Sequence, residues 1–181
     1  STEGRWVAFS SQASNLVASQ VDANGSGSGD VYLYDRVTKL QTLVSHAAGS
    51  PSTTGNGNSH SAVLSSDGRF TLFQSTAVNL VPGQTSSGQT GDVYLYDRTD
   101  GTTLLVSRKL GDPALGTGNS YGTSALSVGG SYAAWASTAS DVVQLDADVN
   151  GVAPDVYLFD RATGTATLVS RQPGSLLRTG N

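Results

Sequence analysis

The 181-residue chain has no cysteine and no methionine, only two lysines (Lys39 and Lys109) and a single glutamate, Glu3. Without thiols there is no disulfide framework and no thiol catalysis, although secretion stays open. Charged residues make up 13% of the chain, about half the usual share of roughly 25%. The net charge of −4 offers no electrostatic footprint for nucleic acid or an anionic membrane. No apolar run approaches the roughly 18 residues of a spanning helix, so no membrane span is expected. No signal-peptide pattern is present, and the first residue is Ser1, as in a mature or excised piece. Helical periodicity never persists for about ten residues without Gly or Pro, which leaves an all-β chain.

What the chain has in quantity is small polar residues: 22 Gly, 26 Ser and 19 Thr, more than a third of the total. A disordered linker would share that bias, but 37% hydrophobic residues, with Val, Leu and Tyr in short clusters, can bury a core.

Those clusters repeat. Asp30-Val-Tyr-Leu-Tyr-Asp-Arg36 recurs as Asp92-Val-Tyr-Leu-Tyr-Asp-Arg98 and Asp155-Val-Tyr-Leu-Phe-Asp-Arg161, at spacings of 62 and 63 residues. Each is followed by a turn and Leu-Val-Ser, ending at Ser45, Ser107 and Ser170. Upstream lie Gly4-Arg5-Trp6-Val-Ala-Phe9, Gly68-Arg69-Phe70-Thr-Leu-Phe73 and Gly130-Ser131-Tyr132-Ala-Ala-Trp135. The aromatic and β-branched segments read as strands, and Ser66-Asp67-Gly68, Val128-Gly129-Gly130, Asp100-Gly101 and Thr163-Gly164 as tight turns. The second unit predicts strands over 61–65, 69–74, 93–96 and 103–107. A four-stranded antiparallel meander at a fixed period of about 62 residues is the signature of a β-propeller blade.

Ser-Ser-Asp-Gly-Arg entering an aromatic strand, then Asp-Val-Tyr-Leu-Tyr-Asp-Arg, a turn and Leu-Val-Ser, resembles the TolB-type (WD-like) β-propeller repeats of bacterial envelope and secreted proteins. The resemblance covers essentially the whole chain. It implies a propeller and an extracellular, periplasmic or cell-envelope location, and says little of activity.

The blades fall at about 1–58, 59–119 and 120–181. Residues 1–5 align with 65–69, so the counterpart of Ser59 to Leu64, the innermost strand, is missing from the first blade. Gly180-Asn181 aligns with Gly57-Asn58 and Gly118-Asn119. Propellers typically close with four to eight blades, so three belong to a larger ring, or complete themselves with another copy or with a partner chain's strand added to the open edge.

The loops joining the aromatic strands carry the one ligand-like motif. In the third unit Asp146-x-Asp148-x-Asn150-Gly151 matches the opening of an EF-hand-type calcium loop, with the Val152 carbonyl and Asp155 as later donors. The closing bidentate Glu is absent. A thinner set, Asp22, Asn24 and Asp30, stands in the first unit, and the second has lost the loop ligands ahead of Asp92. Calcium is therefore the expected cofactor, against the alternative that Asp and Asn only form side-chain turns. Asp30, Asp92 and Asp155 recur in every unit, which suggests that they accept backbone N–H groups at the strand start. Asp35-Arg36, Asp97-Arg98 and Asp160-Arg161 read as repeated charge pairs or turn anchors.

Catalysis finds no support. The two histidines, His46 and His60, have no carboxylate at ligand spacing, and no acid–base dyad is present. Tyr32, Tyr34, Tyr94, Tyr96, Tyr157 and Phe159 would make a carbohydrate-stacking ladder if exposed; filling the wedge between blades is the preferred reading. The expectation is a non-catalytic extracellular propeller module for protein interaction or assembly, stiffened by calcium. The alternatives are a structural subunit that polymerises through open edge strands, and the propeller portion of an enzyme, a peptidase gate or glycan lyase, whose catalytic residues lie elsewhere.

Overall fold

The computed structural model describes residues 1–86, 91–117, 120–144 and 148–180, and for 86 and 121–123 the backbone alone. The first blade holds β1 (Trp6–Ser11), β2 (Asp30–Asp35) and β3 (Gln41–Leu43). The second holds β4 (Ser59–Leu64), β5 (Phe70–Ser75), the two-residue β6 (Thr85–Ser86), β7 (Asp92–Asp97) and β8 (Thr102–Leu105). After the short β9 (Leu115–Gly116) come the strands of the third: β10 (Ser120–Leu126), β11 (Tyr132–Ser137), β12 (Asp155–Asp160) and β13 (Thr165–Leu168). The sheets run β1-β2-β3, β4-β5-β7-β8 and β10-β11-β12-β13, every pairing within a blade antiparallel. The missing innermost strand of the first blade is thus observed, and no helix is present among the described residues.

Register is the same in all three blades: Trp6 faces Asp35, Phe70 faces Asp97 and Tyr132 faces Asp160. That register sets an aromatic pair across the two central strands of each blade. Phe9 stacks on Tyr32, Phe73 on Tyr94 and Trp135 on Tyr157, with centroids 5.6, 5.5 and 5.7 Å apart, a geometry that adds to simple burial. Both innermost strands slip register after their first residues, β4 between His60 and Val63 and β10 between Tyr121 and Ala125. In the second blade the last strand ends at Leu105, two residues earlier than expected. Val106 and Ser107 both turn their amides onto the Val93 carbonyl, at 2.8 and 3.3 Å, and so leave the ladder.

The core lies between blades. Val31, Leu33 and Val44 of the first pack with Phe73, Tyr94 and Tyr96 of the second. Leu72, Val93 and Val106 of the second pack with Trp135, Tyr157 and Phe159 of the third. Tyr94, Tyr96, Tyr157 and Phe159 fill these wedges, and Tyr32 is buried by its own blade's loop, its hydroxyl bonded to Ala13 O and Gln20 Nε2. That arrangement argues against a carbohydrate ladder. Each long loop of the first two blades also touches the segment leading into the next blade, through the parallel bridge Val21–Thr53 and the parallel pair β6–β9.

Candidate functional site

Every blade carries one polar clasp. Ser45, Ser107 and Ser170 donate to Oδ1 of Asp30, Asp92 and Asp155 at 3.0, 2.8 and 2.8 Å. The same hydroxyls accept the amides of Val31, Val93 and Val156 at 3.0, 2.8 and 2.9 Å. The recurring Asp therefore reaches the start of its strand through the Ser of Leu-Val-Ser, a relay that composition alone did not signal. Burial pushes the Asp30 carboxyl up to about 6, opposed by its hydrogen bonds from Ser45 and Asn24.

The two loops singled out for calcium have matching geometry. Asp22 Oδ1 accepts Gly25 N–H at 2.9 Å, and Asp148 Oδ1 accepts Gly151 N–H at 3.0 Å. Asn24 Nδ2 donates to Asp30 Oδ1 at 3.2 Å, and Asn150 Nδ2 to Asp155 Oδ1 at 3.1 Å. Thr54 and Thr179 accept the amides of Ala23 and Val149, both at 2.8 Å. Asp148, Asn150 and Asp155 thus come together, as do Asp22, Asn24 and Asp30. The Val152 side chain is exposed, and Asp146 lies outside the described residues. The threonine hydroxyls are used differently: Thr54 Oγ1 donates to Asn24 Oδ1 at 3.4 Å and Thr179 Oγ1 to Asp148 Oδ1 at 3.5 Å, and Asn150 Oδ1 is shielded from solvent with no hydrogen-bond partner among the described residues. Among the described residues no three or more His, Cys, Asp or Glu side chains cluster as a metal site.

The expected Asp-Arg charge pairs form differently. Asp35 pairs with Arg5 at 2.8 Å and Asp97 with Arg69 at 2.7 Å, not with the arginines that follow them. Cross-strand register places the earlier Arg beside the carboxylate, where both bonds of the guanidinium fork can form. The hydrogen bonds from Arg5 hold Asp35 well below the usual carboxylate range. Burial works to raise Asp97, yet its bonds from Arg69 and from the Thr99 amide leave it lowered. In the third blade Ser131 replaces the arginine, while Asp160 keeps the turn bond common to all three blades: it accepts the Ala162 amide at 2.8 Å, as Asp35 and Asp97 accept those of Val37 and Thr99, both at 2.9 Å.

The second arginine of each motif serves the blade interface. Arg98 donates to the Gly68 carbonyl at 3.1 Å, and its guanidinium lies 4.0 Å from the Trp6 centroid in the preceding blade. Arg161 donates to Gly130 O at 3.1 Å and lies 4.5 Å from the Phe70 centroid. Gly68 and Gly130 have φ of +70° and +69°, and a Cβ there would sit 2.3 Å from Trp6 and 2.2 Å from Phe70. A second contact crosses the same interfaces. His46 meets Tyr96 edge-on at 5.9 Å, and Arg108, at the equivalent position, lies 5.2 Å from the Phe159 centroid and donates to Gly164 O.

His46 and His60 serve different neighbours: His46 is buried against Tyr96, while His60 is exposed beside Ser61. Sequence reading missed Gln84. Its Oε1 accepts Leu80 N–H and Val81 N–H at 3.0 and 3.1 Å, and its Nε2 donates to Ala77 O at 3.0 Å and to the Tyr94 hydroxyl. Gln20 makes the same four bonds in the first blade; the shared position before the loop was the available signal. Repeat phase is also corrected at the C-terminal end. Gly180 N–H donates to Ser170 O as Gly55 does to Ser45 O and Thr117 to Ser107 O, at 2.8, 2.8 and 3.0 Å. Gly180 is thus the counterpart of Gly55 rather than Gly57, because hydrogen bonding follows distance from Leu-Val-Ser and not the Gly-Asn spelling.

No protein-family model matches the chain, and no curated protein matches it. Solved structures do. A structure assigned to TolB from Agrobacterium tumefaciens superposes with TM-score 0.47 at 18% identity, over 93% of this chain and 46% of that one. The tricorn protease superposes with TM-score 0.50 at 10% identity, over 94% of this chain and 12% of that one. The chain therefore spans less than half the length of these structures. At such identities the likeness extends to fold alone. Together with the three meander sheets and the wedge cores between them, it establishes that the chain consists of blades of a β-propeller.

Proposed function

We propose that the chain is a non-catalytic propeller module of the bacterial envelope or extracellular space, and that it works by being joined to other polypeptide at its open strand edge. One observation carries this reading. β5 and β11 are hydrogen-bonded on both edges, whereas among the described residues no strand pairs with the second edge of β1. An unpaired ladder on a strand that carries no charged residue is a template for strand addition. The natural occupant has the character of β4, whose Ser59 and His60 pair with Ser75 and Gln74 of β5, the counterparts of Ser11 and Ser10. A synthetic peptide of residues 58–66 tests the site by hydrogen exchange. Protection of the Trp6–Ser11 amides is expected. An unchanged exchange rate in β1 at saturating peptide overturns the reading.

A second reading concerns calcium, and the solvent-shielded, unpartnered Asn150 Oδ1 favours it. Asp148, Asn150 and Asp155 supply hard oxygen donors of the kind Ca²⁺ takes, and an ion there would satisfy the orphaned amide oxygen. Bound calcium would tie the loop to the start of β12 and stiffen it. Isothermal titration with Ca²⁺ should give heat for the wild type and none for Asp148→Ala; no heat in the wild type ends the idea.

A further inference from the structure

The blade interfaces follow one rule, and the rule leaves two complementary faces open. In both internal interfaces an aromatic at the head of the second strand (Trp6, Phe70) is covered by the glycine and arginine of the next blade (Gly68 and Arg98; Gly130 and Arg161). In both, the residue after Leu-Val-Ser (His46, Arg108) meets the next blade's strand aromatic (Tyr96, Phe159). In both, a turn amide reaches forward: Thr2 N–H to Ser66 O and Ser66 N–H to Val128 O, each at 2.9 Å.

The third blade presents the forward half of this rule, and among the described residues nothing covers it. Tyr132 is 46% exposed where Phe70 is 3%, Val156 is 39% where Val31 and Val93 are 0%, and Val169 is 51% where Val44 and Val106 are 0%. The first blade presents the receiving half. Arg36 already donates to Gly4 O at 2.8 Å, and Gly4 has φ +63°, which is the pose of Arg98 on Gly68 without its aromatic plate. Val7 on the same blade is 42% exposed where its counterparts Thr71 and Ala133 are 0% and 1%.

We infer that this chain binds a second copy of itself head to tail, with the open face of the third blade of one copy seated on the open face of the first blade of the other. Tyr132 takes the Arg36 guanidinium and the Gly4 backbone, Arg171 meets Tyr34, and the Val128 amide reaches the Thr2 carbonyl. The occupant is a second copy because the two faces match each other by the same residues that join the blades internally. One internal bond has no equivalent: Ala48 and Leu110 donate across their interfaces to Asn79 O and Asp141 O, and their counterpart is Pro173, which has no N–H. The contact between copies is therefore weaker than the internal ones and depends on concentration. It is heterologous, so one residue of each pair comes from each copy.

The inference rests on the module reading above but adds a specific contact, and its test separates the two. Native mass spectrometry and sedimentation of the 181-residue chain should show concentration-dependent association. Arg36→Ala and Tyr132→Ala, both at exposed positions, should each weaken it roughly tenfold or more while circular dichroism stays unchanged. Mixing the two variants should restore pairing, since a mixed pair keeps one intact Tyr132–Arg36 contact. A monomer at every concentration, association indifferent to both variants, or failure of the mixture to recover overturns the inference. If the chain is monomeric and β1 still takes up the 58–66 peptide, the module reading stands and only self-association falls.

Discussion

Ser107 Oγ donates to Asp92 Oδ1 at 2.8 Å while accepting the Val93 amide at 2.8 Å, with all three residues buried. The hydroxyl links the last strand of the blade to the start of the third. Ser107→Ala leaves a buried N–H without its acceptor and removes a donor from a buried carboxylate, at a cost of about 1–3 kcal/mol. Ser170→Ala, at the more exposed third-blade copy, should cost less, because water can reach the broken bonds. Urea unfolding of the two variants checks the order.

Gly130→Ala should destabilise by roughly 2–4 kcal/mol, combining left-handed backbone strain with overpacking of the new Cβ into Phe70. Gly101 has a φ of +70°, against +69° at Gly130, with nothing within 4 Å of a Cβ, so Gly101→Ala should cost only the backbone part, about 1–2 kcal/mol. Equal midpoints for the two would remove the close approach as a stabilising feature.

Gln84→Ala strips partners from two amides, a carbonyl and the Tyr94 hydroxyl at once. A loss of about 2–3 kcal/mol is expected. Gln84→Glu keeps the acceptor to Leu80 and Val81 but not the donor to Ala77, so it should fall between wild type and alanine in thermal denaturation.

Asp35 and Asp97 are both lowered in the folded chain. Their ionised forms therefore bind Arg5 and Arg69 more favourably than the unfolded chain does. That contribution is fully present above the unfolded carboxylate value of about 3.9 and is lost as pH falls below it. A double variant, Asp35→Asn with Asp97→Asn, should show a shallower loss of stability between neutral pH and acid than the wild type, read as urea midpoint against pH.

The repeat was legible from the chain alone. Asp-Val-Tyr-Leu-aromatic-Asp is long enough, and β-branched and aromatic enough, to specify a strand by its own pattern, and its recurrence fixed the blade. The same residues misled at the ends of the motif. Asp35-Arg36 looks like an ion pair because the residues are adjacent, but neighbouring side chains on a strand point to opposite faces. The carboxylate pairs across the ladder with Arg5, and Arg36 is freed for the blade face. Gln20 and Gln84 are legible only as a shared position in the repeat; what they do was not, because a glutamine in a polar loop shows no role until the fold brings Tyr32 and Tyr94 within reach.

By itself the sequence determined which segments are strands, how many blades they form, and that β1 lacks the neighbour its counterparts have. These follow from local pattern and its period, and need no knowledge of packing. Only the tertiary structure decided what Arg98 and Arg161 do, because a guanidinium over Trp6 or Phe70 depends on how one blade leans on the next. It also decided that Val156 and Val169 are exposed although Val93 and Val106 are buried. In sequence these valines are equivalents; in space a following blade covers one pair and not the other.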